Sequence, residues 1–145
     1  MARYRATVPS PRSAEDTFAF LADFRTVAEW DPSIIAATLA NGGDPLRVGA
    51  QFHVRLKVNN RENALDYSTV ELEAPSRVVL RGENATVVSI DTMTFAPTPQ
   101  GCEVTYDAKL ELKGLLRLAD PIMQILLHRL GRAAETGLRE RLARL

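Results

Sequence analysis

The stretch Phe18–Ile35, FAFLADFRTVAEWDPSII, decides how this chain is read. Phe18, Leu21 and Ala22 fall on one face of a first helix, and Phe24, Val27 and Ala28 continue the apolar spacing in a second short one. Pro32 disfavours helical backbone at the residue before it. Trp30-Asp31-Pro32 therefore closes a pair of short amphipathic helices and turns the chain into an extended segment over about residues 34 to 41, ending at Asn41-Gly42-Gly43. The helices lead straight into a sheet.

Working outward, residues 3 to 9 alternate, with Tyr4, Ala6 and Val8 on one side, before Pro9 and Pro11 stop a first strand. Ser13 stands three residues before Asp16, an acidic variant of the capping box, and starts the first helix. Downstream, Phe52, Val54, Leu56 and Val58 alternate with Gln51, His53, Arg55 and Lys57, the pattern of a strand with one wet face, and Asn59-Asn60 turns it back. The next strand begins with Leu65 and Tyr67 but continues with Val70 and Leu72. That one-residue change of phase predicts a bulge near Ser68 and Thr69. Further strands run over Arg77 to Gly82, Thr86 to Phe95 and Cys102 to Leu112, the last with Val104, Tyr106, Ala108, Leu110 and Leu112 facing one way.

The chain ends in a long amphipathic helix. Asp120 is its expected N-cap and Pro121 suits the first helical position. Met123, Leu127, Leu130, Ala134, Leu138, Leu142 and Leu145 form an apolar stripe opposite Gln124, His128, Arg132, Glu135 and Arg139. About 24 helical residues span roughly 36 Å, enough to cross a small curved sheet. Gly131 and Gly137 each weaken a helix by about 1 kcal/mol relative to alanine, so they leave space either for a ligand or for a closely packed element. Strands bracketed in this way can be gripped on one curved face and enclose a cavity.

Composition narrows the function. With 145 residues, 46% of them hydrophobic, the chain is expected to be one domain, residues 1 to 145, with a full core of its own. Eighteen basic residues balance eighteen acidic ones, which argues against a nucleic-acid partner. The single cysteine, Cys102, makes no internal disulfide. No apolar signal-peptide core follows Met1, and Ile122 to Leu130 is too short to span a bilayer, so a soluble cytoplasmic protein without stable membrane insertion is expected.

Local catalytic motifs are missing. His53, His128 and Cys102 show no metal-ligand spacing, and there is no Gly-x-Ser-x-Gly elbow, phosphate loop or dinucleotide fingerprint. No metal or cofactor is expected. If Met93 and Phe95 face inward, alternation sends Asp91 and Ser89 inward too; Val88, Ile90, Thr92 and Thr94 are the competing inward set. An inward Asp91 is a candidate acid or base with Tyr67 and Tyr106 orienting a carbonyl or phenol. Its alternative is a structural aspartate. Trp30 either stacks on a ligand or anchors packing, and Asp31 reads as a turn residue. Leu115, Leu116, Leu118, Ile122, Ile125 and Leu126 exceed what one buried stripe requires; they rim a cavity, pair two copies through the C-terminal helix, or touch a membrane transiently. Arg129, Arg132, Arg139, Arg141 and Arg144 make the outer helix face mildly basic, which suits solubility as well as anionic lipids.

The segments Val8-Pro9-Ser10-Pro11, Glu15-Asp16-Thr17-Phe18, Leu21-Ala22-Asp23-Phe24 and Trp30-Asp31-Pro32 carry a family resemblance. So do Val70-Glu71-Leu72-Glu73-Ala74-Pro75, Arg77-Val78-Val79-Leu80, Phe95-Ala96-Pro97, Gly101-Cys102-Glu103-Val104-Thr105-Tyr106 and Leu112-Lys113-Gly114. In their order and spacing the chain resembles the SRPBCC superfamily, the START-like or birch-pollen-allergen-like helix-grip fold, and especially its bacterial polyketide cyclase/dehydrase-like branch. The resemblance implies an α+β fold in which a curved antiparallel sheet of about seven strands wraps a long C-terminal helix, with two short helices after the first strand.

It also implies a hydrophobic cavity. Its sheet wall would comprise Phe52, Val54, Leu56, Leu65, Tyr67, Val78, Leu80, Met93, Phe95, Val104, Tyr106, Ala108 and Leu110. Phe24, Val27 and Trp30 would close one end, and Met123, Leu127, Leu130, Ala134 and Leu138 would form the helix wall. Members of such a family carry ligands, cyclise substrates or serve other roles, and fold does not choose among them. The leading expectation is binding, carriage or sequestration of a hydrophobic small molecule such as a lipid, isoprenoid or polyketide-like aromatic. The alternatives are a cofactor-free cyclase, dehydratase or lyase acting through Asp91, and a protein-interaction or chaperone-partner module using the apolar surplus around Ile122 and Leu126.

Overall fold

Ser13 begins the helical part of the chain as its spacing predicts: its Oγ accepts the backbone N–H of Asp16 at 3.1 Å. In a computed structural model, which describes all 145 residues, strand β1 (Ala2–Ser10) precedes helix α1 (Ala14–Ala22). A 3₁₀ turn (Phe24–Thr26) and helix α2 (Val27–Trp30) follow. Phe18, Leu21, Ala22, Phe24, Val27 and Trp30 are all buried. Ala28 is exposed, because the 3₁₀ turn breaks the α-helical spacing that put it on the apolar face.

Six further strands complete the sheet: β2 (Ile34–Leu39), β3 (Gln51–Val58), β4 (Arg61–Glu73), β5 (Arg77–Glu83), β6 (Val87–Thr98) and β7 (Gly101–Leu112). All seven are antiparallel in one sheet of order β1-β7-β6-β5-β4-β3-β2. The second strand stops at Leu39, short of the expected residue 41, and β6 runs on to Thr98. Asn59 and Asn60 both adopt positive φ, 51° and 62°, which suits a two-residue hairpin with right-handed strand twist. The bulge falls between Thr69 and Glu71 in the pairing with β5, slightly beyond its expected place. Val70 is the extra residue and is turned outward, 43% exposed.

A second 3₁₀ segment (Gly114–Ala119) leads into helix α3 (Asp120–Ala143), 24 residues long. Asp120 is not the N-cap. The chain is already wound when it reaches the helix, Ala119 takes the cap position without a side-chain bond, and the Asp120 carboxylate instead receives the amino group of Met1. Ala134, Leu138 and Leu142 enter a core of 22 buried residues formed with the sheet and the short helices. Gly137 makes this grip possible. A Cβ there would stand 1.9 Å from the carbonyl oxygen of Trp30, so glycine at this point serves a close approach of the helix to the Trp30 backbone.

Candidate functional site

Where α3 crosses the sheet, the two surfaces leave a cavity of about 110 Å³, and 14 of its 19 lining residues are hydrophobic. Phe24 and Val27 close one end. Val54 and Leu56 from β3, Leu65 and Tyr67 from β4, and Tyr106, Ala108 and Leu110 from β7 form the sheet side. Leu127, Leu130 and Ala134 form the helix side. A second chamber of about 180 Å³ adjoins it across Leu56, Leu65, Leu110 and Leu130, and Met123 lines this outer chamber.

The remaining residues expected at the wall lie elsewhere. Phe52, Leu80, Met93, Phe95 and Val104 are buried in the solid core, as is Val78. Their strands present the right face, but α1 and the turn after it cover that end of the sheet: the rings of Phe18 and Phe95 meet at 5.2 Å and those of Phe24 and Phe52 at 6.1 Å. Leu138 is core as well. Trp30 packs edge-on against Tyr106, centroids 5.5 Å apart, and backs that ring from outside the main cavity. Its indole N–H is buried without an acceptor.

Asp91 and Ser89 face inward, each 4% exposed, with Met93 and Phe95 below them on the same strand face. Ser89 Oγ donates to Asp91 Oδ1 at 3.1 Å. Burial pushes the Asp91 carboxyl up to about 6, and the negative charge of Asp31 adds to the rise; the hydroxyls of Ser89, Tyr106 and Tyr67 favour the ionised form. Of these hydroxyls only that of Ser89 closes a hydrogen bond of ordinary length and angle on the carboxylate. Burial, then the charge of Asp91, holds the phenols of both Tyr67 and Tyr106 well above their ordinary range, so both remain neutral donors.

Gly82 brings Tyr67 into this cluster. It pairs with Tyr67 on one side and Ser89 on the other, and a Cβ on it would lie 2.7 Å from the tyrosine ring. With no side chain in the way, the ring lies across β5 towards Ser89 and Asp91.

Three further wall residues combine a structural contact with a place on the cavity. Asp31 is a turn residue, its Oδ1 accepting the backbone N–H and hydroxyl of Ser33 at 2.9 and 2.8 Å, but its carboxyl also lines the cavity, and burial raises its pKa. Tyr4 lies on the same wall and donates to Glu135 Oε1 at 2.5 Å; burial and that bond push its phenol up to about 12. Gly131 leaves room for the Tyr4 ring, which a Cβ would approach to 2.4 Å, and itself borders the cavity. It therefore serves both uses that its place in the helix suggests.

Other candidates stay apart. His53 is on the outer face with Asp66, 2.8 Å away. His128 is exposed beside the Tyr4 ring, and Cys102 is in the core. Leu115, Leu118 and Ile122 are 88%, 85% and 70% exposed and form a ridge ahead of and along the first turn of α3. No helix is long and apolar enough to cross a membrane.

A curled seven-stranded sheet gripping a long helix over an internal cavity defines a helix-grip protein. The chain belongs to the family described as polyketide cyclase / dehydrase and lipid transport, whose family model matches residues 1–143. Its backbone is similar to that of a START superfamily protein from Mycobacterium smegmatis, at 15% identity and a TM-score of 0.79, covering 98% of this chain and 97% of that one. It is also similar to the Zhui aromatase/cyclase from Streptomyces sp. R1128, at 11% identity and a TM-score of 0.78, covering 97% and 92%. A third solved structure, a protein from Thermus thermophilus, is 14% identical with a TM-score of 0.76, covering 97% and 95%. At these identities the likeness establishes the fold alone. No curated protein sequence matches the chain.

Proposed function

We propose that this protein binds a hydrophobic or amphipathic small molecule between α3 and the sheet, for carriage or sequestration. The observation that carries this reading is the composition of the wall: an apolar cavity whose polar groups, Tyr4, Asp31, Ser33, Tyr67, Ser89, Asp91 and Tyr106, include no basic side chain. Apolar contact supplies affinity, and the polar cluster orients one end of the ligand. Family membership supports the same reading.

Native mass spectrometry of gently purified protein, with solvent extraction of what it releases, tests this directly. One apolar molecule per chain is expected. In parallel, the wild type should take up one equivalent of an apolar environment-sensitive fluorophore, and Leu130→Trp, which fills the wall shared by both chambers, should reduce uptake at least about tenfold. Absence of any bound molecule together with equal fluorophore uptake by the two proteins overturns the reading.

A second reading rests on Asp91. A buried carboxyl poised at about 6 beside two neutral phenols suits cofactor-free acid–base chemistry of the cyclase, dehydratase or lyase kind. Asp91 would accept a proton from carbon next to a carbonyl while Tyr67 or Tyr106 donates to its oxygen. Asp91→Asn should then abolish turnover of an identified ligand and leave its affinity within a few-fold. Unchanged turnover excludes the role. The exposed ridge at Leu118 and Ile122 supports pairing of two copies through the C-terminal helix as a subsidiary proposal.

A further inference from the structure

The cavity is unbalanced in charge. Asp31 and Asp91 both lie on its wall, and no lysine, arginine or histidine does. Neither carboxylate takes part in any of the protein's ion pairs, although Asp91 is 4% exposed. Ser89 donates to Oδ1 of Asp91, and the other groups that favour its ionised form are the neutral hydroxyls of Tyr106 and Tyr67, so no cation balances the carboxylate. Burying a carboxylate without a cation is unfavourable, and the protein has placed two beside one space.

Aromatic side chains line the same space. Tyr4, Phe24, Tyr67 and Tyr106 all contribute to the same wall, and ring faces attract cations, most strongly where water is excluded. Carboxylates and ring faces favour a positive charge together and disfavour a negative one. The size is that of a single ring: about 110 Å³, against about 150 Å³ for an apolar cavity known to hold benzene. An attached chain can extend into the adjoining chamber past Leu65 and Leu130.

We infer that the ligand of this cavity carries a protonated amine on an aromatic or short apolar body, with the amine held between Asp91 and Asp31 and against the rings of Tyr67 and Tyr106. This rests on the binding reading above and narrows it: fatty acids and other carboxylates are rejected. The titration behaviour of Asp91 agrees, since the charge of Asp31 reinforces the effect of its burial, and a cation placed between them relieves both.

Three probes of nearly equal shape separate the possibilities: 2-phenylethylamine, 2-phenylethanol and phenylacetate, titrated at pH 7.5 into the whole protein labelled with ¹⁵N and followed by amide shifts. The amine should bind at least about tenfold more tightly than the alcohol, as a charge-assisted bond outweighs a neutral one, and phenylacetate should bind weakest. Asp91→Asn should bring amine and alcohol within about threefold, and Asp31→Asn should narrow the gap by less. Equal affinity of amine and alcohol, or tighter binding of phenylacetate, overturns the inference while leaving the cavity reading in place. If none of the three shifts any cavity amide, the inference falls, and the cavity reading is decided by the bound-molecule and fluorophore tests above. The comparison of head groups on the unmodified protein decides the matter even where a variant folds poorly.

Discussion

Tyr67 lies with its ring over the bare Cα of Gly82, the residue paired with it on β5, where a Cβ would come within 2.8 Å of three ring atoms. One glycine thus lets a tyrosine from β4 reach the Ser89–Asp91 pair on β6. Gly82→Ala should push the ring off the cluster at a cost of about 1–3 kcal/mol, the range for overpacking a filled interior. Urea unfolding gives the stability change and fluorophore uptake gives the loss of the site. A variant as stable as the wild type, with unchanged uptake, contradicts this placement of the ring.

Asp91 makes stability depend on pH in a definite direction. Its carboxyl is held at about 6 in the fold against an ordinary value of 3.8, so between these values the folded protein binds more protons than the unfolded chain and loses stability as pH rises. The contribution is fully present below about pH 4 and lost as pH passes through about 6. The groups facing it are Ser89 on its own strand, Tyr67 from β4, Tyr106 from β7 and Asp31 after α2, while α3 offers only apolar residues and Gly131 on this wall. Asp91→Asn removes the penalty and should stabilise the protein at pH 7.5 by up to about 3 kcal/mol, with little change at pH 4. Urea titrations at the two pH values provide the check; a gain independent of pH would mean that the carboxyl is not desolvated.

The face on which each side chain lies was readable from alternation, but its neighbours were not. Met93 and Phe95 carry Asp91 and Ser89 inward because strand side chains repeat every second residue, and the structure follows that pattern. The same rule put Phe52, Leu80 and Val104 on the correct face without showing that α1 and Phe24 seal one end of it. Asp31 had a complete local explanation in its bonds to Ser33, and nothing near residue 31 signals a carboxylate at residue 91. Tyr4 and Glu135 are 131 residues apart in the chain, so only closure of the sheet around α3 brings them together. Asp120 misled in the opposite sense. Its type and place before Pro121 suit an N-cap, yet the helical turn already formed by Gly114–Ala119 left that position to Ala119.

The ridge of α3 and the buried stripe behind it should respond differently to charge. Ile122 is 70% exposed and Leu138 is 1% exposed, so Ile122→Asp should change monomer stability by no more than about 0.5 kcal/mol, whereas Leu138→Ala should lose about 2–5 kcal/mol. If two copies pair through this helix, sedimentation equilibrium will give a mass above that of one chain for the wild type and one chain for Ile122→Asp. A single-chain mass for both rules out pairing through the ridge.

Gly137 offers the sharpest test of the grip itself, because helix propensity and packing predict opposite signs there. In an exposed helix interior Gly→Ala stabilises by about 1 kcal/mol. Here the added methyl would meet the Trp30 carbonyl oxygen at 1.9 Å, and a backbone atom cannot swing aside as a side-chain tip can. Relief requires α3 to lift from the end of α2, which also loosens the edge contact of Trp30 on Tyr106. Gly137→Ala should therefore destabilise by roughly 2 kcal/mol net, and Trp30, the single tryptophan, should report the movement as a change in its emission. A variant more stable than the wild type, with unaltered emission, would show that the helix does not bear on the Trp30 backbone and that the glycine is there for another reason.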